Sequence, residues 1–170
     1  MPTTAAQDFD AFVTARWLSL VRTAYLMGCR PDEAEDAAQA TLVSVWRHWR
    51  RVSNADSPEA YVTRCLLNEV RRGARRRPRS SARFSTEPTM RDTSDAALAR
   101  IDVWRLLDSL SHDQRTVVVL RHLEDRSEAE VAALLGVAPG TVKSRLSRAM
   151  SHLAAVAATQ EQAVEPRRGE

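Results

Sequence analysis

The feature that most constrains the fold is a pair of short helical patterns in residues 127–153, SEAEVAALLGVAPGTVKSRLSRAMSHL. Ser127 with Glu130 predicts a capping box that starts the first helix, and Gly136 predicts its end. Pro139 then starts a second helix. Its apolar residues recur at helical spacing: Val142, Leu146, Ala149, Met150 and Leu153. Two helices joined in this way form a helix-turn-helix, in which the second helix lies in the major groove of DNA.

The outward face of this second helix is small, polar and basic. A step of about 100° per residue from Val142 places Ser144 and Arg148 opposite the inward side. Residues 131–153 contain Lys and Arg but no acidic residue, a composition that lets the helix approach phosphates and base edges. A helical hairpin with a solvated basic side is the alternative. The predicted DNA contacts on this helix are Thr141, Lys143, Ser144, Arg145, Ser147 and Arg148.

The start of the second helix lacks one stabilising feature. Ala138 occupies the expected N-cap position and has no side-chain oxygen, an omission that costs about 1 kcal/mol. We therefore expect the order of this helix to depend on DNA.

Helical spacing continues through most of the chain, and aromatic residues make up only 5% of it. Both features favour an all-α fold over a sheet-rich one. The first predicted helix ends at Gly28. The others span about 31–51, 58–77, 94–109, 112–123, 128–135 and 139–155. Residues 78–93 are rich in Pro, Ser, Thr and Arg without periodicity, and they read as a flexible linker. We expect two small helical domains, residues 8–77 and 94–155, followed by a frayed polar tail at 156–170.

The net charge of +3 conceals an uneven distribution of charge along the chain. Residues 64–91 hold nine basic and two acidic side chains, a net of +7, and 131–153 have a net of +3. The acidic stretches are 1–45, with six acidic and three basic side chains, and 92–130, with nine and five. Two basic zones on separate domains indicate two contacts with a polyanion.

Several functional classes lack support in the sequence. Cys29 and Cys65 have no metal-ligand spacing, so neither a zinc site nor a disulfide framework is expected. No phosphate-binding loop, HExxH or GxSxG motif is present, and we expect neither catalysis nor a cofactor. No secretory leader or apolar membrane span is visible, which favours a cytosolic protein. A ligand-responsive regulator and a helical adaptor remain alternatives, although three short N-terminal helices leave little volume for a ligand pocket.

The order of these patterns resembles the extracytoplasmic-function (ECF) sigma factors of bacterial RNA polymerase, within the sigma-70 family, and in particular the actinobacterial SigE family. The segments that carry the resemblance are FDAFVTARWLSLVRTAYLMG, DEAEDAAQATLVSVWRHWRRV, SPEAYVTRCLLNEVRRGARRR and LSHDQRTVVVLRHLEDRSEAEVAALLGVAPGTVKSRLSRAM. The resemblance implies an initiation factor that binds the clamp helices and flap of core RNA polymerase, together with promoter DNA. Its two domains would be region 2 and region 4. Members of this family are commonly controlled by an anti-sigma factor.

For region 2, the resemblance implies a polymerase contact on the second helix, at Asp36, Gln39, Leu42 and Trp46. The position after the glutamine is commonly acidic in the family and is Ala40 here. The resemblance also implies recognition of the minus-ten element by the loop Val52–Asp56 and the third helix. The matching positions include Asn54, Asp56 and Asn68, and an open loop beside an Arg-rich helix suits an unstacked base and a strand backbone. A solvated or capping amide is the alternative for Asn68. Phosphate contacts are expected at Arg64, Arg71, Arg72, Arg75 and Arg76, because such a cluster would repel itself on a purely solvated face.

For region 4, the resemblance implies that the helix-turn-helix reads the minus-thirty-five element. It maps Lys143, Ser144, Ser147 and Arg148 onto DNA contacts, and Arg121 onto a phosphate contact from the preceding helix. The aromatic residue often found at the position of Ser147 is absent. Promoter specificity is therefore expected to differ from that of relatives with the aromatic residue.

Overall fold

The structure, a computed structural model, describes residues 5–76 and 103–164, with side chains up to residue 159. The chain divides into two compact units, Met1–Thr86 and Glu87–Glu170. The division falls within the predicted linker 78–93, which itself lies outside the described residues. All regular elements within the two described ranges are helical, which confirms the predicted all-α class. None of these helices is both long and apolar enough to pass through a bilayer.

Within the described residues 5–76, unit 1 contains four helices: α1 (Ala5–Leu26), α2 (Pro31–Arg47), α3 (Trp49–Val52) and α4 (Pro58–Arg76). Gly28 has a φ of 103° between α1 and α2, a conformation that glycine adopts without a side-chain clash. Pro31 occupies the first turn of α2, and the Glu33 carboxylate accepts a 2.8 Å hydrogen bond from the Arg30 amide. The start of α4 is capped at Ser57, whose hydroxyl accepts from the Ala60 amide. These termini confirm the helix starts and the glycine turn expected from the sequence.

The core of unit 1 lies where α2 packs between α1 and α4. Small residues on α2 allow the neighbouring helices to approach closely. The buried Thr41 hydroxyl donates a hydrogen bond to the Ala37 carbonyl at 2.7 Å, so it is not left without a partner in the core. Full burial of a Val, Leu or Met side chain contributes about 1.5–3 kcal/mol relative to exposure, and burial of an alanine contributes less. The fully buried residues include Ala24, Met27, Ala34, Ala38, Val45, Val62, Leu66 and Leu67. At the edge of this core, an ion pair between Arg16 and Glu59 joins α1 to α4.

The second helix is shorter than the sequence predicts. A single helix was expected to about Arg51, but His48 leaves the helical conformation (φ −122°, ψ 16°) and α3 starts at Trp49. The His48 ring contacts the carbonyl oxygen of Ser44 through Nδ1 at 3.0 Å, and its own carbonyl starts the next turn by accepting from the Val52 amide at 2.9 Å. No Pro or Gly marks this break. At the break, His48 Nδ1 also lies 3.3 Å from the Tyr61 hydroxyl of α4, a contact between helices that helical periodicity does not encode.

Unit 2 begins, in the described residues, with the helical segment 103–108 (α5). It continues with α6 (His112–Val118), a π-helical turn (Val119–Leu123), α7 (Glu128–Leu135) and α8 (Pro139–Val164). The predicted part of the first helix at 94–102 lies outside the described residues. A single helix over 112–123 was expected, and the π-helical turn corrects its second half. Such turns insert an extra residue into a helix and frequently occur at functional sites.

Both predicted capping boxes are present in unit 2. Ser111 accepts from the Gln114 amide at 3.4 Å and donates its own amide to the Gln114 side chain at 3.1 Å. Ser127 and Glu130 make the same reciprocal pair at 3.2 and 2.8 Å. Gly136 ends α7 in the left-handed conformation, with a φ of 66°. The helix-turn-helix is thus built at the positions that the sequence indicates.

The last helix differs from the sequence-based expectation in two respects. It continues to Val164, although residues 156–170 were expected to fray. The segment Ala154–Ala158 is rich in alanine, which has the highest helix propensity, so the helix propagates beyond the packed part of the unit. Met150 was expected to face inward and is instead 45% exposed. Val142 and Ala149 are the α8 residues that are fully buried among those described.

Candidate nucleic-acid and partner interfaces

The recognition helix α8 presents the predicted polar face to solvent. Lys143, Ser147 and Arg148 are exposed, while Thr141 is half-buried beside them. Val142 and Ala149 hold the opposite side of the helix in the core. This arrangement leaves two cationic side chains and one hydroxyl on an open helical surface, which is the chemistry that contacts phosphates and guanine edges.

Two other predicted DNA contacts on α8 already have partners within the protein. The Ser144 hydroxyl donates to the carbonyl oxygen of Thr141 at 3.0 Å. Arg145 forms an ion pair with Asp113 of α6, with 2.5 Å between Nη2 and Oδ2. The structure therefore separates the outward cations, Lys143 and Arg148, from a third cation that is turned toward α6.

Arg121 lies in the π-helical turn and is half-buried. Its guanidinium donates to the carbonyl oxygen of Arg126 at 2.5 Å. A guanidinium has five N–H donors, so this bond occupies only part of its capacity. The predicted phosphate contact at Arg121 remains compatible with this structural role.

The predicted minus-ten residues of α4 lie along one stripe of the helix. Arg64, Asn68, Arg71 and Arg75 are separated by four, three and four residues, which places them within about 60° of one another around the axis. Arg64, Asn68 and Arg75 are exposed, and Arg71 is half-buried. Arg72 and Arg76 lie beside this stripe, and Arg72 forms an ion pair with Glu69 at 3.1 Å. The stripe forms a positively charged track with one amide within it.

The loop between α3 and α4 carries the two other predicted minus-ten residues, Asn54 and Asp56, and both are exposed. The Asn54 amide group donates to the Arg50 carbonyl at 2.6 Å, which folds the loop back on α3. Asp56 keeps its carboxylate in solvent.

Side-chain contacts outside the predicted set connect this loop to the start of α4. The Tyr61 hydroxyl lies 3.3 Å from His48 Nδ1, and the two rings are 6.3 Å apart between centroids. Next to them, burial raises the pKa of the Cys65 thiol, which also interacts with Ser44 and Tyr61. No sequence motif indicated these contacts, because they arise where the break at His48 brings the end of α2 against α4.

The predicted polymerase contacts on α2 are mostly exposed. Asp36, Gln39 and Trp46 share one face with Val43, at intervals of three, four and three residues. Leu42 is buried, so its contribution is to the wall of the adjoining groove. Val43, which was not among the predicted contacts, is exposed on the same face, as its spacing from Asp36 and Trp46 could have indicated.

A groove of about 580 Å³ runs between α1 and α2 beside this face. Aromatic rings form one end of it: Phe9 lies 4.8 Å from Trp46 and 5.1 Å from Trp49 between ring centroids. Trp46 is nevertheless 47% exposed. A half-exposed tryptophan at an apolar groove is typical of a protein-binding surface. The groove is lined by Ala6, Phe9, Asp10, Val13, Trp17, Gln39, Leu42, Val43 and Trp46.

These features define a class of protein. One helical unit carries a basic helix, α4, and an apolar groove between α1 and α2, and the other is a helix-turn-helix with an exposed basic face. Together they describe a DNA-binding protein with a second, protein-binding surface.

Comparison with known proteins identifies the family. The sigma-70 region 2 model matches residues 14–80, and the sigma-70 region 4 model matches residues 100–153. The chain belongs to the sigma-70 family, as one of its ECF RNA polymerase sigma factors.

Two relatives align with this chain over most of its length and over most of their own. The RNA polymerase sigma-E factor of Streptomyces avermitilis is 32% identical over 148 residues, which span 86% of this chain and 83% of the relative. ECF RNA polymerase sigma factor SigL of Mycobacterium tuberculosis is 33% identical over 128 residues, 71% and 72% of the two chains.

Two solved structures are similar to this chain over most of its length. The sigma factor RpoE of Bartonella quintana, in complex with the anti-sigma factor NepR, has a TM-score of 0.69 at 27% identity and covers 94% of this chain and 99% of its own. CnrH, in complex with the cytosolic domain of CnrY, has a TM-score of 0.64 at 26% identity, with coverages of 89% and 88%.

Membership of this family gives the function. The protein directs promoter-specific initiation of transcription by RNA polymerase. Region 2, in unit 1, corresponds to recognition of the minus-ten element, and region 4, in unit 2, corresponds to recognition of the minus-thirty-five element.

Proposed function

We propose that the exposed face of α8 reads the minus-thirty-five element through Lys143, Ser147 and Arg148, with the half-buried Thr141 and Ser144 beside them. The observation that carries this assignment is the exposure of these cations opposite the buried Val142 and Ala149. Arg121 adds a phosphate contact from the turn before α7. Lys and Arg on such a face supply both the salt-dependent attraction to DNA and the bidentate contacts to guanine.

The minus-ten element is read in unit 1 by the loop residues Asn54 and Asp56 together with Asn68. The amide and carboxylate groups offer hydrogen bonds to an unstacked base, and the arginines of α4 hold the backbone of the separated strand. These arginines are Arg64, Arg71, Arg72, Arg75 and Arg76. The exposure of Asn68 within the arginine stripe supports this division of roles.

Core RNA polymerase binds the face of α2 formed by Asp36, Gln39, Val43 and Trp46, with Leu42 supporting it from the groove. The combination of exposed carboxylate, amide and indole suits a partner helix that presents both basic and apolar residues. The clamp helices are the partner that the family relationship suggests for this face, and the flap is the corresponding partner for unit 2.

An anti-sigma factor is a further proposed partner. The Bartonella quintana relative is captured with one, and the apolar groove between α1 and α2 offers this chain a surface for such a protein. The protein acts without catalysis of its own, in the cytoplasm, where core polymerase is found.

The proposed function is tested by reconstitution. Purified protein is mixed with core RNA polymerase and a library of promoter fragments, and transcripts are mapped at their 5′ ends. We expect co-elution with core polymerase and initiation from a defined subset of promoters. Failure of both co-elution and initiation would overturn the proposal.

A further inference from the structure

We propose that Arg145 is a positioning residue that fixes the recognition helix to α6 through Asp113, and that it is not a DNA contact. The proposal rests on the proposed function of α8 in reading the upstream element. It changes the role of one cation that the sequence placed among the DNA contacts.

The first argument is the direction of the Arg145 side chain. A step of about 100° per residue places Arg145 only about 60° from Val142, the fully buried centre of the inward face. Arg148, one of the outward cations, lies about 120° from Val142, twice as far around the helix axis as Arg145. The Arg145 side chain is 25% exposed, and its Nη2 lies 2.5 Å from Asp113 Oδ2. Arg145 therefore extends along the protein toward α6 and away from the outward face.

The second argument is the rigidity of its partner. Asp113 lies in the first turn of α6, two residues after the Ser111 cap. Its carboxylate is also favoured there by the helix dipole. The buried residues Val117 and Val118 fix the same helix in the core. Asp113 is 59% exposed, but its position is determined by a capped and packed helix.

The third argument is that the start of the recognition helix has no capping side chain and that its packing on the core is apolar. Its start has Ala138 in place of a capping side chain and Gly140 in the first turn. Val142 and Ala149 are fully buried and Leu146 and Leu153 are half-buried, while Met150 is 45% exposed. An ion pair to α6 adds a directional constraint that these apolar contacts do not supply. It sets the rotation of α8 at which the outward cations face DNA.

The two possible roles of Arg145 predict opposite effects on DNA affinity when the charge of Asp113 is removed. If Arg145 positions α8, Asp113→Asn frees the helix to rotate and weakens specific binding by roughly three- to tenfold, within the coupling energies of residues in contact. If Arg145 contacts DNA, the same substitution removes a competing anion and strengthens binding. Asp125→Asn is the matched control, because Asp125 is an exposed carboxylate in unit 2 outside this ion pair.

The experiment uses the full chain and a fluorescent duplex that carries the region upstream of a start site mapped with the wild-type protein. Affinities are measured by anisotropy between about 50 and 200 mM salt. We expect Asp113→Asn and Arg145→Gln to weaken binding, and Asp125→Asn to leave it unchanged or strengthen it slightly. We expect the exchanged variant Asp113→Arg with Arg145→Asp to recover most of the affinity, because the pair is restored with its charges reversed.

The salt dependence separates positioning from phosphate contact. The neutral double variant, Asp113→Asn with Arg145→Gln, keeps the net charge and is expected to keep the wild-type slope of log K against log salt. Loss of one phosphate contact instead lowers that slope by about 1, as expected for Lys143→Gln or Arg148→Gln. A stronger-binding Asp113→Asn variant, an exchanged variant without recovery or a lowered slope in the double variant would each overturn the proposal.

The controls distinguish failure of this inference from failure of the proposed function. If wild-type protein does not bind the duplex, or if Arg148→Gln leaves its affinity and slope unchanged, the assignment of α8 to the upstream element is wrong. If Arg148→Gln behaves as expected and the exchanged variant does not, only the role of Arg145 is wrong. Circular dichroism of each variant shows whether the helices of the full chain have formed.

Discussion

The Arg121 guanidinium and the Arg126 main-chain carbonyl are joined by a 2.5 Å hydrogen bond that closes the turn between the π-helical segment and α7. Asp125, between them, adopts a φ of 51°, which is unusual for a residue other than glycine. The turn therefore combines an extra helical residue, a left-handed residue and a charged donor. It ends directly before Ser127, the N-cap of the first helix of the helix-turn-helix.

Substitution of Arg121 is expected to destabilise this turn as well as weaken DNA binding. Arg121→Ala removes a charged donor from the half-buried carbonyl, a loss of about 1.5–3 kcal/mol. The measurement is hydrogen exchange of the amides in 119–131 within the full chain. Arg126→Gln is the matched control, because it keeps the main-chain acceptor and should leave the turn protected. Unchanged exchange in Arg121→Ala would mean that the bond does not stabilise the turn.

The helix starts could be predicted from the sequence because short-range chemistry determines them. Ser111 with Gln114, Ser127 with Glu130 and the left-handed Gly136 were each indicated by residue type and spacing alone. The basic and apolar faces of α8 followed from the same periodicity. This local information was sufficient for the all-α class and for the helix-turn-helix.

Features that depend on contacts between helices could not be predicted. The break at His48 and the π-helical turn lie in segments whose apolar spacing is that of a continuous helix. The pairing of Arg145 with Asp113 joins residues 32 positions apart, and nothing in either local pattern indicates it. The same limit applies to Leu42, which has the position of a surface contact but is buried against α1.

Charge reversal at Arg148 is expected to separate the two binding functions. Arg148→Glu places an anion on the exposed face of α8 and should abolish binding at the upstream element, while core polymerase still binds through unit 1. The measurements are anisotropy with the upstream duplex and co-elution with core polymerase. Equal loss in both assays would assign Arg148 a structural role instead.

The exposed indole of Trp46 is expected to be a hot spot for core polymerase. Trp46→Ala should weaken binding by at least about 2 kcal/mol, or roughly thirtyfold in Kd, as truncation of an interface tryptophan commonly does. The measurement is titration of labelled protein with core polymerase. Leu18→Ala is the matched control: Leu18 is 75% exposed but does not line the groove. A similar loss in both variants would place the polymerase contact elsewhere.

The two glycines of the helix-turn-helix are expected to respond in opposite directions to alanine. A Cβ at Gly136 would meet no atom within 4 Å, but its φ of 66° disfavours a side chain, so Gly136→Ala should cost about 1 kcal/mol. Gly140 is helical and equally open, and Gly140→Ala should stabilise the unit by about 0.5–1 kcal/mol. Denaturant unfolding measures both. A gain at Gly136, or a loss at Gly140, would contradict these expectations.

The capping box of α7 is expected to make the start of this helix sensitive to acid. Hydrogen bonds from the Ser127 hydroxyl and amide lower the pKa of Glu130, with a smaller contribution from the nearby Arg126. A carboxylate whose pKa is lower in the folded state stabilises the fold fully above the pKa of the unfolded chain, and this contribution is lost as the pH falls through the folded pKa. Protection of the first α7 amides from exchange should therefore decrease at acidic pH.

The glutamine box of α6 supplies an internal control for the same measurement. Gln114 makes the corresponding bond to Ser111 but does not titrate, so the first turn of α6 should keep its protection in that pH range. Glu130→Gln should transfer this behaviour to α7, because glutamine can complete the box without ionising. Loss of protection at both helix starts, or an acid response that persists in Glu130→Gln, would assign the effect to general unfolding of unit 2 and not to the Glu130 carboxylate.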